Sequence, residues 1–126
     1  MSNTILVIED NDINMDVMLF ALQALGCTAI PALNGPAGLA IAKAERPGLI
    51  LCDINMPHLD GFGVLKGLRS DEGIAATPII AVTLLEKPEY GERYILAGFD
   101  GFLSKPVQLH ELREVILKYL PEPGVL

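Results

Sequence analysis

The sequence predicts an α/β fold: a doubly wound, five-stranded parallel sheet with helices on both faces. Three observations predict it. Short apolar, β-rich runs alternate one for one with helical patterns along the chain, the order that builds βαβ units joined by right-handed crossovers. The runs Leu49-Ile-Leu-Cys52 and Ile79-Ile-Ala-Val82 are apolar without interruption, as strands covered on both faces must be. The length of 126 residues suits one compact domain, read here as spanning 1–126.

Each element has its own signal. The first strand is expected at Thr4–Ile8. After it, Met15, Met18, Leu19, Leu22 and Leu25 recur on one helical face, and Gly26 can supply the left-handed stop. Thr28–Ala32 reads as the second strand and Gly35–Glu45 as the second helix, ended by Pro47. The third pair is Leu49–Cys52 and Gly61–Arg69. Pro78–Thr83 forms the fourth strand, followed by a helix over Pro88–Ala97 that has Pro88 in its first turn and Gly98 at its close. Gly101–Leu103 and Gln108–Leu120 complete the series, with Leu109, Leu112, Ile116 and Leu120 on the inner face of the last helix. Pro121-Glu-Pro-Gly124 reads as a short end piece.

Composition narrows the function. Hydrophobic residues make up 51% of the chain and charged residues 20%, enough apolar material for a core and too much for a disordered segment. The 16 acidic residues stand against 9 Lys plus Arg, for a formal net charge of −7; this charge repels the phosphates of nucleic acids and of anionic membranes. Neither is an expected partner. Mean hydropathy is +0.41, yet Asp, Glu, Pro and Gly break every apolar run short of the ~18 residues a spanning helix needs. The opening Met1-Ser-Asn-Thr4 lacks the basic region of a signal peptide, so a cytoplasmic location is expected. Cys27 and Cys52 show no C-x-x-C spacing and no companion His, and read as small buried side chains. His58 and His110 lie outside hydrolase and zinc motifs and read as surface residues. The glycines of Gly61-Phe-Gly-Val-Leu-Lys-Gly67 are wrongly spaced for a dinucleotide loop, and no G-x-x-x-x-G-K-[ST] occurs.

In open parallel sheets, ligands bind beyond the carboxyl ends of the strands. There the first strand delivers Glu9-Asp10, followed by Asn11-Asp12, and the third delivers Asp53. Two like charges 4 Å apart repel by about 4 kcal/mol at an effective dielectric of 20, so such a group calls for a cation or protons. Hard oxygen ligands point to Mg²⁺. Taken singly, Asp10, Asn11 or Asp12 can be a helix cap and Asp53 a turn cap. The fourth strand ends in the hydroxyl of Thr83 and the fifth is followed by Lys105-Pro106. Each of these is weak alone, but carboxylates with a metal, a hydroxyl and an ammonium can together surround a phosphoryl group. An Asp carboxylate can be the nucleophile that receives it.

At these residues the sequence resembles the receiver domain of two-component response regulators. The resemblance rests on Ile5-Leu-Val-Ile-Glu-Asp-Asn11, Leu51-Cys-Asp-Ile-Asn-Met-Pro57 with Asp60-Gly61, Ala81-Val-Thr83, and Ala97-Gly-Phe-Asp-Gly-Phe-Leu-Ser-Lys-Pro106, in order and across essentially the whole chain. It implies a flavodoxin-like strand order 2-1-3-4-5. It also implies that Asp53 accepts a phosphoryl group from a phosphohistidine on a histidine kinase or a histidine phosphotransfer protein. Mg²⁺ would be held by Glu9, Asp10, Asp53 and the backbone carbonyl of Asn55. Lys105 would pair with the phosphoryl oxygens, Thr83 would move to hydrogen-bond one of them, and Phe102 would turn inward behind it. The Lys105–Pro106 bond would be cis. By the same resemblance the chain is a phosphorelay signalling protein whose only chemistry is the self-catalysed phosphorylation and dephosphorylation of Asp53. It would be a stand-alone regulator without an output domain, acting on a downstream protein through the helix 4, strand 5 and helix 5 face. Candidate contacts there are Tyr90 and Tyr94, one turn apart, with Lys87, Glu89, Glu92 and Arg93 exposed.

One departure stands out: Leu84-Leu85 follows Thr83 where most relatives carry a small residue, and bulk there can narrow access to an acyl phosphate. Three other readings remain open. A pseudo-receiver would keep the fold without phosphorylation, although Asp53, Thr83 and Lys105 are all retained. A receiver cut from a hybrid histidine kinase would look similar. A haloacid-dehalogenase-like phosphatase with an Asp nucleophile would need D-x-D at the first strand, where this chain has Glu9-Asp10.

Overall fold

The computed structural model describes residues 3–84 and 90–120. Its elements alternate as expected: β1 (Thr4–Ile8), α1 (Asp12–Ala24), β2 (Thr28–Ala32), α2 (Gly35–Glu45), β3 (Leu49–Asp53), α3 (Gly61–Arg69), β4 (Ile79–Thr83), α4 (Tyr90–Ala97), β5 (Gly101–Ser104) and α5 (Leu109–Tyr119). The strands form one parallel sheet in the order β2-β1-β3-β4-β5.

Boundaries differ from the sequence reading where a backbone bond outweighs hydrophobicity. β3 runs one residue further, through Asp53, which pairs with Val82. Pro78 drops out of β4 because its nitrogen has no hydrogen to donate, although its carbonyl still accepts from Ile50 N at 2.9 Å. β5 extends to Ser104, opposite Thr83. Gln108 and Leu120 cap α5 rather than belonging to it. The Pro88 start of the fourth helix and the Pro121–Gly124 end piece lie outside the described residues.

Local chemistry accounts for the helix ends. Asn11, Asn34 and Asp60 cap α1, α2 and α3 by accepting from Asn14 N (2.9 Å), Ala37 N (2.8 Å) and Gly63 N (3.0 Å), each satisfying one of the amides that a helix start leaves unpaired. Gly26 (φ 79°) and Gly98 (φ 118°) take the positive φ that stops α1 and α4. Pro31 sits on the edge strand β2, where a missing donor is tolerated.

Strand alternation divides the core in two. Ile5, Val7, Leu49, Leu51, Ile80, Val82 and Leu103 pack with Met15, Met18 and Leu22 of α1 and Leu112 and Ile116 of α5. Leu6, Ile8, Ile50, Cys52, Ile79 and Ala81 pack on the other face with Ala42 of α2, Val64, Leu65 and Leu68 of α3, and Phe99. With both faces covered, β3 and β4 are buried along their whole length, so their polar ends emerge only at the carboxyl edge. No helix among the described residues is long and apolar enough to cross a membrane.

Candidate functional site

At that edge β1 hands over to Glu9 and Asp10, and β3 ends in Asp53. Carboxylate oxygens of the three lie within 4.8 Å of one another. Glu9 and Asp53 are buried, at 6% and 5% exposure, while Asp10 is exposed. Lys105, just beyond β5, reaches across: its Nζ donates to Glu9 Oε1 at 3.0 Å and to Asp53 Oδ1 at 3.1 Å. Burial alone would lower the Lys105 pKa, but the hydrogen bonds and the charges of Glu9 and Asp53 outweigh it and hold the ammonium above its ordinary value. Among the described residues, one ammonium against three carboxylates leaves an acidic site that can take a divalent cation through hard oxygen donors. The donor set therefore fits Mg²⁺.

The backbone is drawn tightly around Asp53. Gly61 N donates to Ile54 O at 3.0 Å, and a Cβ on Gly61 would lie 2.8 Å from Asp53 O and 2.9 Å from Ile54 Cα. Only glycine lets the start of α3 approach the end of β3 this closely. Cys52 is sealed beneath the site, its thiol donating to Asp53 O at 3.3 Å. Burial, then the charges of Asp53, Asp60 and Glu9, push this thiol's pKa far up. The Lys105–Pro106 bond is cis.

A cleft of about 300 Å³ opens on the site, lined by Glu9, Asp10, Asn11, Asn14, Asp53, Asn55, Leu84 and Lys105. Asn55 thus borders the acidic group, and the exposed Leu84 forms part of the wall, as the bulk after Thr83 suggested. Leu85 lies outside the described residues. Thr83 is 1% exposed at the end of β4. Its hydroxyl does not face solvent; it shares a 3.0 Å hydrogen bond with the hydroxyl of Tyr94. Phe102 is 39% exposed on β5 and lies over Gly91 of α4, where a Cβ would come within 2.9 Å of three ring carbons.

Tyr94 requires a correction. Instead of facing a partner, its ring packs inward, stacked 5.8 Å from Phe62 and edge-on at 6.2 Å to Phe99. Lys87, Glu89 and the Tyr90 side chain lie outside the described residues, while Glu92 and Arg93 are exposed. Sequence reasoning also missed a largely apolar cavity of about 240 Å³ beside the acidic group, between α1 (Val17, Met18, Ala21) and the segment after β5 (Pro106, Val107). Small Ala21 on an otherwise large-residue face was the one available signal.

Known proteins share this fold. The family model described as the response regulator receiver domain matches residues 5–117. The chain is 34% identical to the polar-differentiation response regulator DivK of Brucella anthropi over 120 residues, covering 95% of this chain and 98% of DivK. Among solved structures it resembles the receiver domain of the sensor histidine kinase PA1611 of Pseudomonas aeruginosa PAO1, which has a magnesium ion coordinated in its active-site cleft; TM-score is 0.86, identity 29%, and coverage 97% of this chain and 100% of that one. It also resembles the receiver domain of Ssk1, solved with the histidine phosphotransfer protein Ypd1 of Saccharomyces cerevisiae, at TM-score 0.82 and 26% identity over 94% of this chain and 88% of that one. Fold, edge chemistry and family match agree, and the chain belongs to the response regulator receiver domains of two-component signalling.

Proposed function

We propose that Asp53 is the phosphoacceptor of a phosphorelay. The observation that carries this reading is the bridge from Lys105 Nζ to Glu9 Oε1 and Asp53 Oδ1 inside a group of three carboxylates. An oxygen of Asp53 attacks the phosphorus of a phosphohistidine; the P–N bond breaks, the imidazole leaves and takes a proton, and an acyl phosphate remains. Lys105 keeps its charge through the reaction and pairs with the phosphoryl oxygens. Glu9, Asp10, Asp53 and the backbone carbonyl of Asn55 would hold Mg²⁺, which when bound offsets charge on the transferred group. Thr83 turns its hydroxyl to a phosphoryl oxygen, and Phe102 follows, shifting the population of the switch face.

The phosphodonor is a histidine kinase or histidine phosphotransfer protein. Ile13, Val17 and Phe20 lie on one face of α1, next to the cleft, and are 74%, 63% and 75% exposed. That stripe suits the apolar face of a donor helix. The downstream protein is read by α4, β5 and α5, where Ile95, Leu96 and Phe102 are exposed.

Intact mass after incubation with Mg²⁺ and acetyl phosphate tests the reading. The native chain should gain one phosphoryl group, lose it at alkaline pH and fail to gain it under chelation, and Asp53→Asn should never gain it. A native chain that stays unmodified with acetyl phosphate and with a phosphohistidine donor would favour the pseudo-receiver.

A further inference from the structure

The hydroxyl expected to meet the phosphoryl group is already engaged, and on the opposite side of the sheet. Along β4, Ile80 and Val82 pack toward α1 and α5, while Ile79 and Ala81 pack toward α2 and α3. Alternation carries Thr83 to the second side, where its hydroxyl meets Tyr94 of α4 at 3.0 Å. Asp53 has the other parity: Leu49 and Leu51 face α1 and α5, and Asp53 lines the cavity beside Val17 and Met18 of α1. To reach a phosphoryl group on Asp53, Thr83 must turn its hydroxyl away from α4. Staggered rotamers lie about 120° apart, so one rotamer does not serve both partners.

Tyr94 is poorly placed to follow. Its ring is held between Phe62, nearly coplanar at 21°, and Phe99, nearly perpendicular at 83°. The same helix, one turn earlier, carries Gly91 beneath the Phe102 ring. One face of α4 therefore touches both side chains that the switch would move.

We propose that the Tyr94 hydroxyl latches Thr83 in the resting arrangement, so that switching requires the Thr83–Tyr94 bond to break and α4 to be released. Tyr94 is then a positioning residue: it acts on the phosphoryl group only through Thr83. The proposal rests on Asp53 being the phosphoacceptor. The net worth of one partly buried hydroxyl pair corresponds to a shift of about 2- to 10-fold in the switch equilibrium.

Beryllofluoride, which mimics a phosphoryl group on a carboxylate, gives an equilibrium test in the presence of Mg²⁺. Its apparent affinity is measured by calorimetry for the native chain, Tyr94→Phe, Thr83→Ala and the double variant. Tyr94→Phe should bind about 2- to 10-fold tighter, and Tyr94→Leu, which removes the same hydroxyl from a different side chain, should shift in the same direction. In the Thr83→Ala background, Tyr94→Phe should change nothing. Equal or weaker binding by Tyr94→Phe, or an effect that persists without the Thr83 hydroxyl, overturns the latch while leaving Asp53 as acceptor. A native chain that binds no beryllofluoride overturns both readings.

Discussion

Lys105 bridges buried Glu9 and Asp53, and its removal has a cost that is visible before any phosphoryl chemistry. Lys105→Met leaves two carboxylates without the donors that bond them at 3.0 and 3.1 Å. Hydrogen bonds to charged groups contribute about 1.5–3 kcal/mol, so urea unfolding in EDTA at pH 7.5 should show a loss of that order. Added Mg²⁺ should restore much of it by replacing the missing cation. Asp10→Asn acts in the opposite direction: it removes one of three like charges within 4.8 Å and should stabilise the metal-free chain by up to about 1 kcal/mol. Leu84 bears on access rather than charge. It is 66% exposed and lines the cleft over Asp53, so Leu84→Ala should let water in and shorten the life of the acyl phosphate, followed by intact mass after the donor is removed.

Helix α1 was legible because the 3.6-residue spacing of Met15, Met18 and Leu22 names element and face at once. β3 and β4 were legible by length and composition instead, as short unbroken apolar runs that fit strands covered on both faces. The acidic edge was legible for the same reason: Glu9, Asp53 and Lys105 each follow an apolar run. Tyr94 was not, because its neighbours Glu92 and Arg93 make that turn read as solvent-facing, and only packing against Phe62, far away in sequence, turns it inward. Strand order was likewise outside local reach; periodicity names strands without ordering them. Helix α4 yields a prediction of its own. Gly91→Ala places a methyl group where the far end of the Phe102 ring lies. That ring is 39% exposed and free to swing outward, so urea unfolding should lose less than the roughly 1–3 kcal/mol of core overpacking, and ring contacts in NMR spectra should show Phe102 displaced from α4. An unmoved ring would mean that α4 itself shifts.

For the molecule as a whole, the site and the global fold are linked, and two cysteines on different levels of the structure can report it. Cys52 lies in the central strand β3 with no exposure, and its thiol is further suppressed by burial and by Asp53, Asp60 and Glu9. Alkylation needs a thiolate in contact with reagent, so Cys52 reacts only through states in which the sheet has opened. Cys27 lies in the turn between α1 and β2 and is half-buried rather than fully buried as its sequence context suggested, with burial alone raising its pKa; it should react from the folded state. A cation held by Glu9, Asp10 and Asp53 binds the folded chain and not the unfolded one, and at 100 times its Kd it adds about 2.7 kcal/mol of stability. Since 1.4 kcal/mol is a factor of ten, Mg²⁺ at that level should slow Cys52 alkylation by about 100-fold and leave Cys27 alkylation unchanged. In Asp53→Asn the Cys52 effect should shrink, because one of the three carboxylates is gone. If Mg²⁺ leaves Cys52 unprotected, the acidic edge does not bind the ion in the folded chain; if it slows Cys27 equally, the protection is not tied to the opening of the sheet.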